Sequence, residues 1–291
     1  MAESLGVIAG FFTEQVSIVR ELVVPVRTDE FDAVHRMRVA ARRMQAALKV
    51  WRPLMDANEV DLLRTELRWL AHALGAARDA EVLEERLDEA LAGDTPTLSA
   101  ARSIVDAHLD RTAAQAHAEL ADDLESERFD TLLQRLERCA SDPPLLWDEP
   151  RFDTLVDLLA AAWATALVQW RAVPSAARGL GADDPRHEQA HRARRRAKTA
   201  RYLADVLADV DPRLEPLADA FKRVSDEVGD SHDAVVASRL LAALADGATQ
   251  DVRKALVDAA ASQADLAEEC LASGGEAVED AALLAAEVLS D

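Results

Sequence analysis

Apolar residues recur three and four positions apart along almost the whole chain, the spacing of one buried face of an α-helix, and no stretch alternates like a half-buried strand. The periodicity is interrupted at Pro25 to Asp29, Gly93 to Pro96, Ser141 to Pro150, Pro174 to Pro185, Asp211 to Pro212, Asp246 to Gly247 and Ser273 to Gly275. Pro, Gly and Asp at these places favour turns. The pattern predicts an all-α protein. Cys139 to Pro150, with Pro143, Pro144 and Pro150, lies near mid-chain and divides it into two helical bundles, residues 1–145 and 146–291.

Two predicted helices stand out. In the first, Val34, Met37, Ala41, Met44, Leu48 and Trp51 share an apolar face, and at about 100° per residue His35, Arg38, Arg42 and Lys49 form a stripe on the opposite side. In the second, Ala193, Ala197, Ala200, Leu203 and Leu207 form the core face, and His191, Arg194, Lys198 and Arg201 form the stripe. Each helix is followed at a similar distance by a related motif. Leu74-Gly75-Ala76-Ala77-Arg78-Asp79 lies 40 residues beyond His35, counted to the glycine, and Val228-Gly229-Asp230-Ser231-His232-Asp233 lies 38 beyond His191. Two motifs recurring in one order indicate an internal duplication. A third stripe, Arg64, Arg68, His72 and Arg78, has a thinner counterpart in which Lys222 matches Arg68, while Ala218, Asp226 and His232 replace the other three.

Composition agrees with helices: 49% hydrophobic residues, many of them alanine, only 4% aromatics, and 10 each of Gly and Pro in 291 residues. Cys139 and Cys270 have no partner spacing and read as buried free thiols, not as a disulfide or zinc site. Trp69, Trp147, Trp163 and Trp170 read as core or boundary packing. His108, His117 and His187 read as surface or helix-end residues, and the acidic region from Leu241 onward as solvated helix. The N-terminus carries an acid where a signal peptide needs positive charge, and no apolar run approaches a membrane span. A cytoplasmic protein that does not engage membranes is expected.

The formal charge of -21 argues against a polyanionic partner until its distribution is considered. Residues 35–52 contain six Lys or Arg and no acid, and residues 186–201 contain seven against Glu188 alone. Thus 13 of the 33 basic residues occupy two short segments, leaving 20 against 53 acids elsewhere. Solvated helix faces usually mix signs, because like charges one turn apart oppose the helix by roughly 0.2–0.5 kcal/mol per pair. Single-sign stripes are compensated by acids on neighbouring helices or by an anionic ligand. Arginine predominates, and its planar fork matches phosphate oxygens in a bidentate manner. Gly75 and Gly229, inside helical segments at about 1 kcal/mol each relative to alanine, suggest a close helix approach or a local break. Asp79 and Asp233, four residues on, read as caps or as orienting partners for arginines.

These motifs, Val34 to Arg43 with Leu74 to Asp79, and His191 to Tyr202 with Gly229 to Asp233, resemble the CHAD domain, the conserved histidine α-helical domain. The resemblance implies two antiparallel helical bundles with pseudo-twofold symmetry around a basic cavity or pore that binds inorganic polyphosphate. It would place His35, Arg38, Arg42, Arg43, Arg64, Arg68 and Arg78 on one side, and His191, Arg194, Arg195, Lys198, Arg201 and Lys222 on the other. Lys49 joins the first group by its place in the stripe. It also makes polyphosphate granules a candidate location.

The expected activity is binding without catalysis, with no cofactor and no metal. Nucleic-acid binding is the first alternative, disfavoured because Tyr202 is the lone aromatic candidate beside the stripes. The second is an enzyme in which His35 or His191 accepts a phosphoryl group or cuts the chain. A histidine among arginines stays neutral and nucleophilic, yet no P-loop, carboxylate metal cluster or nucleophile–base pair is visible.

Overall fold

The computed structural model describes residues 4–30, 32–146, 150–174 and 181–289. These residues are helical apart from turns and one isolated antiparallel bridge between Met55 and Leu145. The α-helices are α1 (Ser4–Glu21), α2 (Val23–Arg27), α3 (Ala33–Val50), α4 (Ala57–Ala90), α5 (Pro96–Leu124), α6 (Glu127–Ser141), α7 (Phe152–Arg171), α8 (Pro185–Ala208), α9 (Glu215–Ala245) and α10 (Gln250–Val288). The two basic helices are α3 and α8. Each leads through a short 3-10 turn, Arg52–Leu54 or Pro212–Leu214, into a long helix, α4 or α9.

Local chemistry sets the helix starts. Asp56 accepts from the amides of Asn58 and Glu59, Thr95 from Leu98, Ser126 from Phe129 and Asp184 from Arg186, and each cap satisfies amides that the first turn leaves unpaired. Pro96 and Pro185 occupy first helical positions, where a missing amide costs nothing. The breaks at Trp51 to Asp56 and at Glu125 to Ser126 were not visible in the periodicity, because Pro53 and the Ser126 cap interrupt it for too few residues.

The predicted core faces are as expected. Val34, Met37, Ala41, Met44, Leu48 and Trp51 are buried, as are Ala193, Ala197, Ala200, Leu203 and Leu207. The main core draws residues from α1, α3, α4 and α6 together with α7 to α10, so residues on both sides of the mid-chain break share one apolar interior. A second core joins the end of α4 and α5 to the end of α9 and the start of α10. Trp163 stacks on Phe221 with ring centroids 4.2 Å apart, and Trp69 lies beneath the Arg128 guanidinium at 4.3 Å. Trp147 lies outside the described residues.

Four expectations need correction. Ser273 to Gly275 does not end a helix: α10 runs straight through it, and a Cβ at Gly274 would come 2.7 Å from Val228 Cγ2, so the glycine admits close approach of α9. The C-terminal region is not merely solvated, since Val252, Leu256, Ala267, Val278 and Ala281 bury one face of α10. Cys139 is buried, its thiol pushed up to about 12 by desolvation, whereas Cys270 is half-buried. Helix α7, 20 residues with an 18-residue stretch of mean hydropathy 1.3, is long and apolar enough by length and composition to cross a membrane, contrary to the expectation of no such run. Its Leu155, Leu159, Trp163 and Ala166 face the protein core.

His187 sits in the first turn of α8, a helix end as expected, but it is buried. It is 3% exposed, not a surface residue, and its Nε2 lies 3.1 Å from Glu268 of α10. Arg186 beside it donates through Nη2 to both Glu268 oxygens at 2.9 and 2.7 Å, and through Nε to Asp184 at 3.0 Å. This buried group anchors the first turn of α8 onto α10 and thereby sets where the next turns point. Removing one member of such a pair leaves a desolvated charge uncompensated. Glu268→Ala is expected to cost about 2–3 kcal/mol in urea unfolding, and Arg186→Met, which strands both Glu268 and the buried Asp184, to cost at least as much; a cost near zero for the Glu268 substitution would show that the contact does not anchor the helix.

Candidate polyanion site

Helices α3 and α8 pack against each other with their cationic stripes turned to a common space. A cavity of about 430 Å³ is lined by His35, Arg38, Arg42 and Arg78 from the first half and by His191, Arg194, Arg195 and Lys198 from the second. A smaller cavity of about 200 Å³ shares Arg42, Arg195, Lys198 and Tyr202 with it and adds Lys49, Arg64 and Arg68. The two are therefore contiguous. Helical phase brings the cations of each helix to one side, and the packing of α3 on α8 brings the two sides together.

Crowded positive charge shows in the protonation equilibria. Burial, Arg194 and Arg42 pull Lys198 down to about 7, and burial with Arg196, Arg64 and Arg195 pulls Lys49 down to about 8. Burial, His232 and Arg195 hold His191 at about 3, so its ring is neutral at physiological pH. Burial and Arg78 lower His35, and burial lowers His232 against the opposing pull of Asp233. Desolvation lowers the half-buried guanidiniums Arg42, Arg64 and Arg194 as well.

Some of these cations have protein partners. Arg38 lies 3.1 Å from Asp79, Arg64 lies 3.5 Å from Asp61, and Arg194 Nε donates to the Ser225 carbonyl at 3.0 Å. Asp79 is thus an orienting partner, as its spacing suggested. Among the described residues Arg42, Arg195, Lys198 and Lys49 form no ion pair, and the buried Nε of Arg38, Arg42 and Arg64 and Nδ1 of His191 have no hydrogen-bond partner.

Three expected residues do not line either cavity. Lys222 is exposed on α9. Arg201 is held by Asp226 at 3.4 Å and Asp205 at 3.9 Å, and Arg43 lies in the field of the same Asp205. Arg186, counted in the basic segment, is consumed by Asp184 and Glu268, and His72 of the third stripe is exposed. Conversely, Tyr202 and His232 line the cavity without having been placed in the site. His232 could have been found, because it occupies the repeat position of Arg78.

The two internal glycines have a common use, and it is neither a helix approach nor a break. Both α4 and α9 continue through them. A Cβ at Gly75 would lie 3.7 Å from Arg38 Nη2, and one at Gly229 would lie 2.3 Å from Arg194 Nη2 and 2.9 Å from its Cζ. Each glycine makes a shelf on which the corresponding arginine rests.

A model of the CHAD domain matches residues 11–242. The chain belongs to the CHAD domain family. Two uncharacterized proteins of Mycobacterium tuberculosis, from strains CDC 1551 / Oshkosh and ATCC 25618 / H37Rv, are each 31% identical over 215 residues. The match covers 72% of this chain but only 40% of either relative. Among solved structures, PptA from Streptomyces chartreusis aligns with a TM-score of 0.80 over 95% of this chain and 99% of its own, at 24% identity. The CHAD domain from the plant Ricinus communis aligns with a TM-score of 0.69 over 93% and 91%, also at 24% identity. At these identities the likeness is one of fold.

The two CHAD-domain glycines should respond differently to substitution. Gly75→Ala is expected to stabilise the protein by up to about 1 kcal/mol, because helix propensity improves and the added methyl meets only ordinary contact. Gly229→Ala must displace the Arg194 guanidinium and should give no gain. Thermal unfolding of the two variants side by side checks this, and equal gains would remove the shelf role from Gly229.

Proposed function

We propose that this CHAD domain binds inorganic polyphosphate in the joined cavities between α3 and α8, holding the polymer without acting on it chemically. The observation that carries the reading is the group Arg42, Arg195, Lys198 and Lys49, cations drawn from both halves, two of them lysines depressed by burial and then by neighbouring cations, and without ion-pair partners among the described residues. Like charges held together at such cost are stabilised when an anion enters. Phosphate suits the arginine forks, and a polymer suits contiguous cavities with cations along both. The acidic remainder of the surface confines a polyanion to this region.

Binding is expected to weaken steeply with salt, log K falling against log salt by roughly 0.7–0.9 per phosphate neutralised. Arg42→Ala combined with Arg195→Ala should lower affinity by about tenfold per arginine and flatten that dependence. Calorimetric titration of long-chain polyphosphate at several salt concentrations tests the proposal, and no binding at low salt would overturn it. Phosphate release during incubation would contradict the claim that the polymer is held unchanged.

The lysines add a pH dependence whose sign is determined. In the empty cavity Lys198 titrates near 7 and Lys49 near 8, and a bound anion favours their ammonium forms, so each bound-state value is higher. Binding therefore takes up protons above about pH 7. Affinity should be highest below pH 7 and fall as pH rises through 7 to 8, by up to about tenfold per pH unit for each proton acquired. Titrations at pH 6 and pH 9 at constant ionic strength measure this, and Lys198→Met with Lys49→Met should make the affinity almost independent of pH.

A further inference from the structure

The larger cavity contains more than cations. Val82 and Leu83 of α4 and Val236 of α9 form an apolar wall beside His232 and Asp233. The rings of His191 and His232 stack there with centroids 3.6 Å apart and planes at 29°. Asp79 and Asp233 place two carboxylates on the same lining. A bare phosphate chain has no apolar surface to bury against valine, and carboxylates repel it. The volume of about 430 Å³ is within the roughly 300–1,000 Å³ of small-molecule pockets.

Resting on the polyanion reading above, we propose that the same cavity takes nucleoside polyphosphates, the phosphates on the cations of α3 and α8 and the nucleoside at the end formed by Val82, Leu83, Val236 and the stacked histidines. The base lies against the valine wall and the outer face of the imidazole pair, and the ribose hydroxyls donate to the carboxylates of Asp79 and Asp233. His191 is neutral at physiological pH, so the pair offers ring faces for stacking, which every base can use. The two acids then contact donors instead of opposing phosphates.

Comparing ATP with inorganic tripolyphosphate isolates the nucleoside, because both carry three phosphates. In metal-free buffer at pH 7 and fixed ionic strength, calorimetry is expected to give ATP an advantage of about tenfold or more from stacking and apolar contact. Val82→Ala with Val236→Ala should cut ATP affinity by about fivefold and leave tripolyphosphate within about twofold, its retained binding showing that the variant is folded. ATP no tighter than tripolyphosphate, with long polyphosphate still bound, overturns this inference and leaves the polyphosphate reading intact. An ATP advantage undiminished in the double variant, or equal losses for both ligands, overturns it as well. If none of the three ligands binds, both readings fall.

Discussion

Like charges brought together in a poorly solvated space are the constraint around which this molecule is arranged. Arg42, Arg194 and Lys198, each half-buried, would be better hydrated apart, and burial together with Arg194 and Arg42 brings Lys198 down to about 7. The arrangement persists because apolar packing on the reverse of each helix outweighs it: Met37, Met44 and Leu48 behind one stripe and Ala197, Ala200 and Leu203 behind the other are essentially inaccessible to solvent. Core burial holds the helices in place, and helix geometry then leaves their cations no other direction.

The supports of the stripes differ in kind. At the start of α8 the Arg186, His187 and Glu268 group ties the helix to α10 by charge. Further along, Gly229 receives Arg194 on a shelf that a larger residue would narrow, while Gly75 meets Arg38 with room for ordinary contact and Asp79 orients that arginine. Gly274 serves backbone packing instead, letting α9 and α10 approach at Val228. Three helix-interior glycines thus bear a similar cost in propensity for two purposes, guanidinium seating and helix contact.

Carboxylate placement separates unpaired cavity-lining cations from structural ones. Arg201 follows Lys198 along the same stripe, yet Asp226 and Asp205 neutralise it, whereas Lys198 meets only cations at close range and a more distant Asp226. Arg186 is likewise removed from the basic surface by its partners. The unpaired charge of the region is smaller than its composition suggests, and among the described residues it rests on Arg42, Arg195, Lys198 and Lys49, which form no ion pair although Asp79 and Asp233 share the cavity lining.

The linear sequence by itself determined the all-helical fold, the core faces of α3 and α8, and the side on which their cations lie, because side-chain direction on a helix follows from position at about 100° per residue. The repeat of the His and Gly motifs was equally legible, since it needs only order and spacing. Which cations remain free was decided mainly by the tertiary structure: Asp226 and Glu268 come from other helices and their approach depends on packing, whereas Asp205 stands one turn from Arg201 on α8 itself. The burial of His187, the shelf role of the glycines and the apolar wall of Val82, Leu83 and Val236 have the same origin. Each is a contact between elements, and local periodicity carries no information about the distance between two helices.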